Sequence, residues 1–281
     1  MGLLSGLESL GLGGVVKEKK VFEEENKDDK VGKKVPQKPK LTEEEVLFDK
    51  KFACPVCEHE FTSKMLRAGK VKLVGSDLDL RPVYEVMEPL KYDAVVCPKC
   101  GYGALNRFWA PLMSAQVGLV KEQISKNFKG MPVLGDTYSF DEALLRYKMV
   151  LMSSIVKKAK ASEKAYTCLK MGWLLRAKSE SMPEDLDNRD AVVKDLKEEE
   201  LECLKNALEG FKSAFEKENF PMCGMDEITV TYLVGELARR CGKFEEAGRW
   251  ISRVLTNKNA NDRIKNKARD IKELISEKNS N

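Results

Sequence analysis

The chain has 281 residues, of which 42% are hydrophobic and 33% are charged, the composition of a soluble globular protein. Its 49 basic and 45 acidic residues nearly balance, and no dense basic run carries interleaved aromatic residues, so composition gives no sign of a nucleic-acid footprint. The single histidine, His59, excludes a site built from several histidines.

The expected cellular compartment is inferred from targeting signals that the sequence lacks. The amino terminus has no basic segment, continuous apolar segment and small-residue cleavage site in the order of a secretory signal. No stretch approaches the roughly 20 apolar residues that cross a bilayer. Four cysteines (Cys168, Cys203, Cys223 and Cys241) are scattered through sequence of helical character, as buried apolar side chains are. We therefore expect a cytoplasmic protein in a reducing compartment.

Two segments precede the part of the chain with regular periodicity. Residues 1–16 (MGLLSGLESLGLGGVV) form an apolar, glycine-rich leader peptide, which is either a frayed terminus or a segment that docks on a partner or on the protein's own helices. Residues 17–41 have mixed charge and few apolar side chains. Such a stretch buries too little surface to offset its ordering entropy, so we expect a disordered linker.

Within residues 42–103, the segment from Lys51 to Val96 has β character. We predict strands from Glu60 to Arg67, around Val71 to Val74, and from Tyr92 to Val96. Two Cys-x-x-Cys pairs interrupt this region. Short antiparallel strands joined by two turns that carry cysteines are typical of a zinc ribbon.

The two cysteine pairs predict a tetrahedral metal site. Its expected ligands are Cys54, Cys57, Cys97 and Cys100. Zinc is the expected ion, although iron bound as in rubredoxin uses the same four thiolates. A redox dithiol is disfavoured because two matched pairs occur and no thioredoxin-like βαβ pattern surrounds either one. Four protein ligands leave no position for a substrate, so we expect a structural site.

Seven further residues between the cysteine pairs form a candidate recognition surface that the metal would hold rigid. The alternative is that they occupy ordinary solvated turns and strand edges. The seven residues are Arg67, Lys70, Asp77, Asp79, Arg81, Tyr84 and Tyr92.

From residue 104 to residue 281 the apolar pattern has a helical period. We predict a helix from about Ala104 to Phe128, broken near Pro111, and a second helix that begins at a capping box formed by Ser139 and Glu142. Further helices are expected at about 162–182, 189–217, 226–241, 244–255 and 261–277.

The segment at 232–255 resembles a tetratricopeptide repeat, because Gly235 and Ala238 occupy its small positions and Phe244 follows the glycine turn. Weaker matches begin at Phe140 and Ala165. We therefore predict a mainly α protein, in which a zinc-ribbon-like module (42–103) packs on a tetratricopeptide-like helical domain (104–281). The alternative is an ordinary helical bundle without a binding groove.

The cysteine pairs and their surroundings resemble the bacterial domain-of-unknown-function family DUF2225. The resemblance rests on the segments 50–57, 77–84 and 89–102, and it extends from about Phe48 to Leu255. It implies a cytosolic bacterial protein. The family carries no settled activity, so it implies no catalytic residue.

Three classes of function follow. The leading hypothesis is a non-enzymatic interaction protein whose helical groove binds a protein or peptide partner. The second is a nucleic-acid-binding regulator in which Arg67, Lys70 and Arg81 contact phosphates. The third is an enzyme, which we do not expect, because the sequence has no glycine-rich phosphate loop, nucleophile–histidine pair or paired carboxylates of a known signature.

Overall fold

Three β-hairpins come first in the chain and seven α-helices follow, in a computed structural model that describes residues 42–85, 87–132 and 135–279. The predicted leader peptide (1–16) and linker (17–41) lie outside the described residues. The mainly helical class with a small β portion is confirmed.

Each hairpin is a separate antiparallel sheet of two strands. The pairs are β1 (Leu47–Ala53) with β2 (Glu60–Leu66), β3 (Leu73–Ser76) with β4 (Pro82–Tyr84), and β5 (Ala94–Val96) with β6 (Gly103–Leu105). In the first hairpin Ala53 lies opposite Glu60, and in the third Val96 lies opposite Gly103. The registers therefore leave one Cys-x-x-Cys pair at the turn of each of these two hairpins.

The helices are α1 (Ser114–Val120), α2 (Phe140–Val156), α3 (Ala161–Glu180), α4 (Arg189–Lys217), α5 (Glu227–Arg240), α6 (Phe244–Thr256) and α7 (Asp262–Asn279). The predicted capping box is confirmed at the start of α2, where the Glu142 backbone N–H donates to the Ser139 hydroxyl and the Ser139 N–H donates to the Glu142 carboxylate. Among the described residues, no helix combines the length and apolar character needed to cross a membrane.

The helix predicted from Ala104 was wrong in its first part. Gly103–Leu105 is strand β6, Asn106–Phe108 is a 3-10 turn, and α1 begins only at Ser114, beyond Pro111. The physical reason is the second cysteine pair, which forms a hairpin turn and therefore needs a returning strand. Ala104 and Leu105 are fully buried in that strand, so their apolar character reflects the core and not a helical face.

The third hairpin and the turn before it share a hydrophobic core with the helices. Leu90, Ala94 and Leu105 of the β portion pack in the same cluster as Tyr147 and Leu169 of the helices. The described residues accordingly belong to one structural unit. The two modules expected at 42–103 and 104–281 are thus joined through a common interior.

The helices α5 and α6 approach closely at Gly235. A β-carbon at this position would lie 2.8 Å from Ile251 Cδ1, a separation that real β-carbons do not reach. The packing therefore confirms the sequence prediction that this position needs a small residue. The wider tetratricopeptide-like arrangement stays a prediction.

A cluster of buried charges attaches the loop between β3 and β4 to the helices. Asp79 is fully buried, and its two carboxylate oxygens accept hydrogen bonds from Arg176 Nη1 and Nη2 of α3 at 3.1 and 2.6 Å. Arg240 of α5 lies 3.6 Å from the same carboxylate. Burial on its own would raise the pKa of Asp79, but the Arg176 hydrogen bonds and the two positive charges outweigh it and hold that pKa below its ordinary value.

Two more carboxylates, those of Asp77 and Glu180, belong to this charge cluster. Asp77 Oδ2 accepts from Arg81 Nε at 2.7 Å and from Arg176 Nη1 at 2.8 Å. Arg81 also donates to both oxygens of Glu180 at 2.9 and 2.8 Å. Residues nearly one hundred positions apart are thereby tied together, and the buried charges are paired as burial requires.

We predict that Asp79→Asn lowers the free energy of unfolding by about 3 kcal/mol, because it leaves buried guanidinium groups without their closest counter-charge. Asp49→Asn is the matched control: Asp49 is 54% exposed in its pair with Lys64, so its loss should cost less than about 1 kcal/mol. Urea unfolding at pH 7 measures both. Equal effects would contradict the role given to the buried pair.

The same substitution carries a pH signature. A carboxyl group whose pKa is lowered by folding stabilises the protein above its unfolded pKa of about 3.9, and this contribution disappears as the pH falls through the folded value. The stability difference between the wild type and Asp79→Asn should therefore shrink in acid. A difference that is constant from pH 7 to pH 3 would contradict the expected ionisation.

Candidate metal centre

The two cysteine pairs adopt the same backbone turn. In the first turn the Glu58 N–H donates to the Cys54 carbonyl, and in the second the Gly101 N–H donates to the Cys97 carbonyl. Both turns then close by a bond from the first cysteine's N–H to the carbonyl of the residue five positions later. Glu58 and Gly101 have positive φ angles of 60° and 75°. Glycine meets this requirement without steric cost, whereas Glu58 accepts some strain.

The four predicted ligands converge. Their sulfur atoms all lie within 4.8 Å of one another, with Cys54 Sγ 3.5 Å from Cys100 Sγ and Cys57 Sγ 3.7 Å from Cys97 Sγ. A tetrahedral zinc site with bonds of about 2.3 Å places its sulfurs about 3.8 Å apart. The thiols therefore have the spacing of a four-cysteine metal site. All eight cysteines are free, so no disulfide competes for these sulfurs.

Apolar and aromatic side chains enclose the thiols. Cys54, Cys97 and Cys100 are buried in one cluster with Tyr102 and with residues of α1 and α2. Trp109 covers the first hairpin, where its indole N–H donates to the Ala53 carbonyl at 3.0 Å. The α2 residue Ser153 accepts a hydrogen bond from the Gly103 N–H at 2.9 Å and so attaches the second hairpin to the helices.

The electrostatics of the thiols favour a bound cation. The hydrogen bond from Cys100 lowers the pKa of Cys97, whereas sharing a hydrogen with Cys54 raises the pKa of Cys100. Without a metal, ionisation of one thiol therefore disfavours ionisation of its neighbour, because buried like charges repel. A divalent cation would allow the set to ionise together. The donors suit a soft or borderline ion, and four of them leave no open coordination position.

In the structure, the seven residues of the candidate recognition surface differ in their exposure to solvent. Asp79, Arg81 and Tyr92 are buried, and Asp77 is part of the same charge cluster as Asp79 and Arg81. These four residues hold the protein together and do not form an outer surface. The solvated-turn interpretation does not fit the buried residues Asp79, Arg81 and Tyr92, whereas Asp77 remains partly exposed.

The remaining members lie nearer to solvent. Arg67 is exposed, donates from Nε to the Leu47 carbonyl at 3.0 Å and covers the Phe48 ring. Lys70 is exposed and Tyr84 is half-buried. Because Arg81 is engaged by Asp77 and Glu180, it cannot contact phosphates as the nucleic-acid hypothesis requires.

Sequence reasoning missed the partners of the buried charges. Arg176 and Arg240 stand on helices far along the chain, and nothing local marks them as partners of Asp77 and Asp79. The same holds for Glu200, which pairs with Arg176. Arg146 was also missed. The sequence did indicate that Arg146 is buried, since this residue lies between Ala143 and Val150 on the apolar face of α2.

The turn geometry yields a test that leaves the ligands intact. Gly101→Ala should lower the free energy of unfolding by about 1–3 kcal/mol more than Gly242→Ala, because a β-carbon at Gly101 would lie 2.6 Å from Phe128 Cδ2. Gly242 has a similar φ of 76° but open space around its would-be β-carbon. Thermal unfolding compares them; equal losses would contradict the close contact at Gly101.

The comparisons with known proteins give a family and no more. A family model described as an uncharacterized protein conserved in bacteria (DUF2225) matches residues 47–275, from the start of β1 into α7. No curated protein and no solved structure matches the chain significantly. The match spans both cysteine pairs, the charge cluster and the helices from α1 into α7, and the chain belongs to the DUF2225 family.

Proposed function

We propose that this protein is a cytoplasmic, non-enzymatic interaction scaffold, in which a structural zinc ion braces the hairpins and a groove in the helical part binds a partner helix. The observation that carries the proposal is the groove between α2 and α4. A structural zinc site and a tetratricopeptide-like arrangement of the helices are parts of the same proposal.

The groove lies over α3. Helix α2 packs on one side of α3 and α4 packs on the other, which leaves an opening of about 690 Å³ along the surface of α3. Its lining on α2 runs from Leu144 to Ile155, a distance of roughly 16 Å at 1.5 Å per residue. This length accommodates about three turns of a helix.

Apolar side chains cover much of the groove's interior. Met171 and Leu175 come from α3, and Leu151 and Ile155 come from α2. Ile155 is 54% exposed, so a partner helix in the groove would remove apolar surface of this side chain from water. Burial of such side chains is the main driving force for helix-in-groove binding.

The walls of the groove carry opposite charges. The basic lining residues are Lys148 of α2 and Lys164 of α3, and the acidic residues Glu199 and Glu202 come from α4. Among the described residues, none of these four makes an ion pair within 4.0 Å. We therefore infer that the occupant is an amphipathic helix of a partner protein, with basic residues towards α4 and acidic residues towards α2.

The metal prediction concerns Cys97→Ser. Purified wild-type protein should contain about one zinc ion per chain, and the variant should lose it, because three thiolates no longer complete the tetrahedral site. Hydrogen exchange should then increase in β5, β6 and the part of α2 that packs on them. The expectation includes α2 because Ala94 and Leu105 share its core.

Cys241→Ser is the matched control, since Cys241 is partly buried and lies outside the thiol cluster. It should retain the metal. Elemental analysis decides the matter: stoichiometric iron would replace zinc in the proposal, and wild-type protein with neither metal would overturn the centre.

The groove prediction uses a photo-crosslinking residue in place of Ile155, with the same residue in place of Val74 as control. Both side chains are 54% exposed, but Val74 lies on the hairpin β3–β4, away from the groove. Crosslinking in the native cell followed by mass spectrometry should capture an amphipathic segment at Ile155 only. Equal capture at both positions would contradict the groove.

The captured segment is then synthesised and titrated against two charge reversals on α4. Glu202→Lys should weaken binding about tenfold, because it reverses the charge of the acidic wall, whereas Glu198→Lys should bind as the wild type does. Glu198 is exposed on the same helix outside the groove. Equal affinities of the two variants would overturn the proposed orientation of the partner.

A further inference from the structure

Arg146 is a buried cation on the inner face of α2. It is 4% exposed, and it contacts the first and third hairpins. Its Nε donates to the Ala94 carbonyl at 3.1 Å, and its Nη2 donates to Ser63 Oγ at 2.9 Å. The guanidinium also lies over the Tyr138 ring, 4.6 Å from the centroid.

Arg146 differs from Arg81 and Arg176 in having no ion pair with a described carboxylate. Arg81 and Arg176 each pair with carboxylates at 2.6–2.8 Å, whereas no described carboxylate lies within 4.0 Å of Arg146. Burial lowers the pKa of Arg146 from its ordinary value, and the opposing electrostatic effects of Tyr138 and Glu142 do not outweigh it. An unpaired buried charge is costly unless an anion compensates it.

The guanidinium borders a cavity of about 370 Å³ that Ser63, Lys64 and Tyr138 also line. Its Nη1 makes no hydrogen bond to a described residue. In the described chain, the side-chain polar atoms that have neither a hydrogen-bond partner nor exposure to solvent are Trp173 Nε1 and Arg189 Nε. Nη1 of Arg146 is not one of them. Because Arg146 lines the cavity, we infer that its Nη1 is accessible from there.

The carboxylates near this cavity do not neutralise Arg146. Asp49 and Asp136 lie near Lys64, with oxygens 3.2 and 3.8 Å from its Nζ, and they are 54% and 91% exposed. Such exposed pairs contribute little and exchange readily. Lys64 can thus turn to a ligand while Arg146 supplies the permanent charge.

We propose that this cavity binds a small molecule through an oxyanion group, a carboxylate or a phosphate, which pairs with Arg146. Ser63, Tyr138 and Lys64 supply the neighbouring polar atoms. The volume is within the range of small-molecule sites. The cavity lies against β2 and α2, its lining includes no residue of α3 or α4, and the inference is independent of the helix-binding groove.

The test titrates the full chain with inorganic phosphate and, separately, with acetate, at an ionic strength held constant with chloride. We expect a saturable rise in melting temperature and saturable heat in calorimetry with at least one of the two. Phosphate alone would identify a phosphate site, and acetate alone a carboxylate site. No saturable effect of either anion would overturn the proposal.

Two substitutions at Thr62 locate the binding. Thr62 is exposed on β2 and lines the cavity, so Thr62→Glu places a competing carboxylate there, whereas Thr62→Gln adds similar bulk without charge. We expect Thr62→Glu to weaken anion binding at least about tenfold relative to Thr62→Gln. Equal binding by the two variants would place the anion elsewhere and overturn the proposal.

Arg146→Lys serves as a second check. It keeps a positive charge but loses the planar arrangement of donors, so affinity should fall while any folded variant keeps its helical circular dichroism. Because Arg146 also bonds to Ala94 and Ser63, this variant can fail to fold. In that case the comparison at Thr62 decides.

Discussion

Four sulfurs within 4.8 Å of one another are the constraint on which the β portion depends. Two hairpins contribute two thiols each, and neither hairpin has enough strands to be stable by itself in water. Neighbouring buried thiolates repel one another, yet ionised thiols are what a metal would bind. A bound metal would therefore neutralise the repulsion among the thiolates and join the two hairpins through its four bonds to sulfur. The position of α1 and of the carboxyl end of α2 follows from this contact, because both pack on the thiol cluster.

The hairpin β3–β4 is held by a different kind of interaction. Its loop places Asp77, Asp79 and Arg81 among arginines and glutamates of the helices, so it is fixed by paired charges and not by sulfur. Paired buried charges are geometrically demanding, since removal of one partner leaves the other in an apolar environment. The loop consequently has one favourable position on the helices.

Local patterns in the sequence were sufficient for some parts of the structure. The spacing of the cysteines predicted their convergence, and Ser139 with Glu142 predicted the start of α2, because each signal lies within a few residues. The strand β6 was missed because three residues following a turn carry too little periodicity to distinguish a strand from a helix. The charge cluster was missed for a different reason: Asp79 and Arg176 are 97 positions apart, and their pairing depends on the tertiary fold.

We infer the binding surfaces from which side chains have partners within the protein and which do not. In the described chain, Asp79 and Arg81 have partners within the protein, and the four thiols have the geometry of a closed site. Two places differ. The groove over α3 leaves Ile155 and its charged walls without partners, and the cavity beside Arg146 leaves a buried cation without a counter-ion. Features that cost stability without an internal benefit are expected where a ligand or partner supplies the missing interaction. In our proposal, the metal centre and the charge cluster hold these two surfaces in place, and the partner or ligand binds at the surfaces themselves.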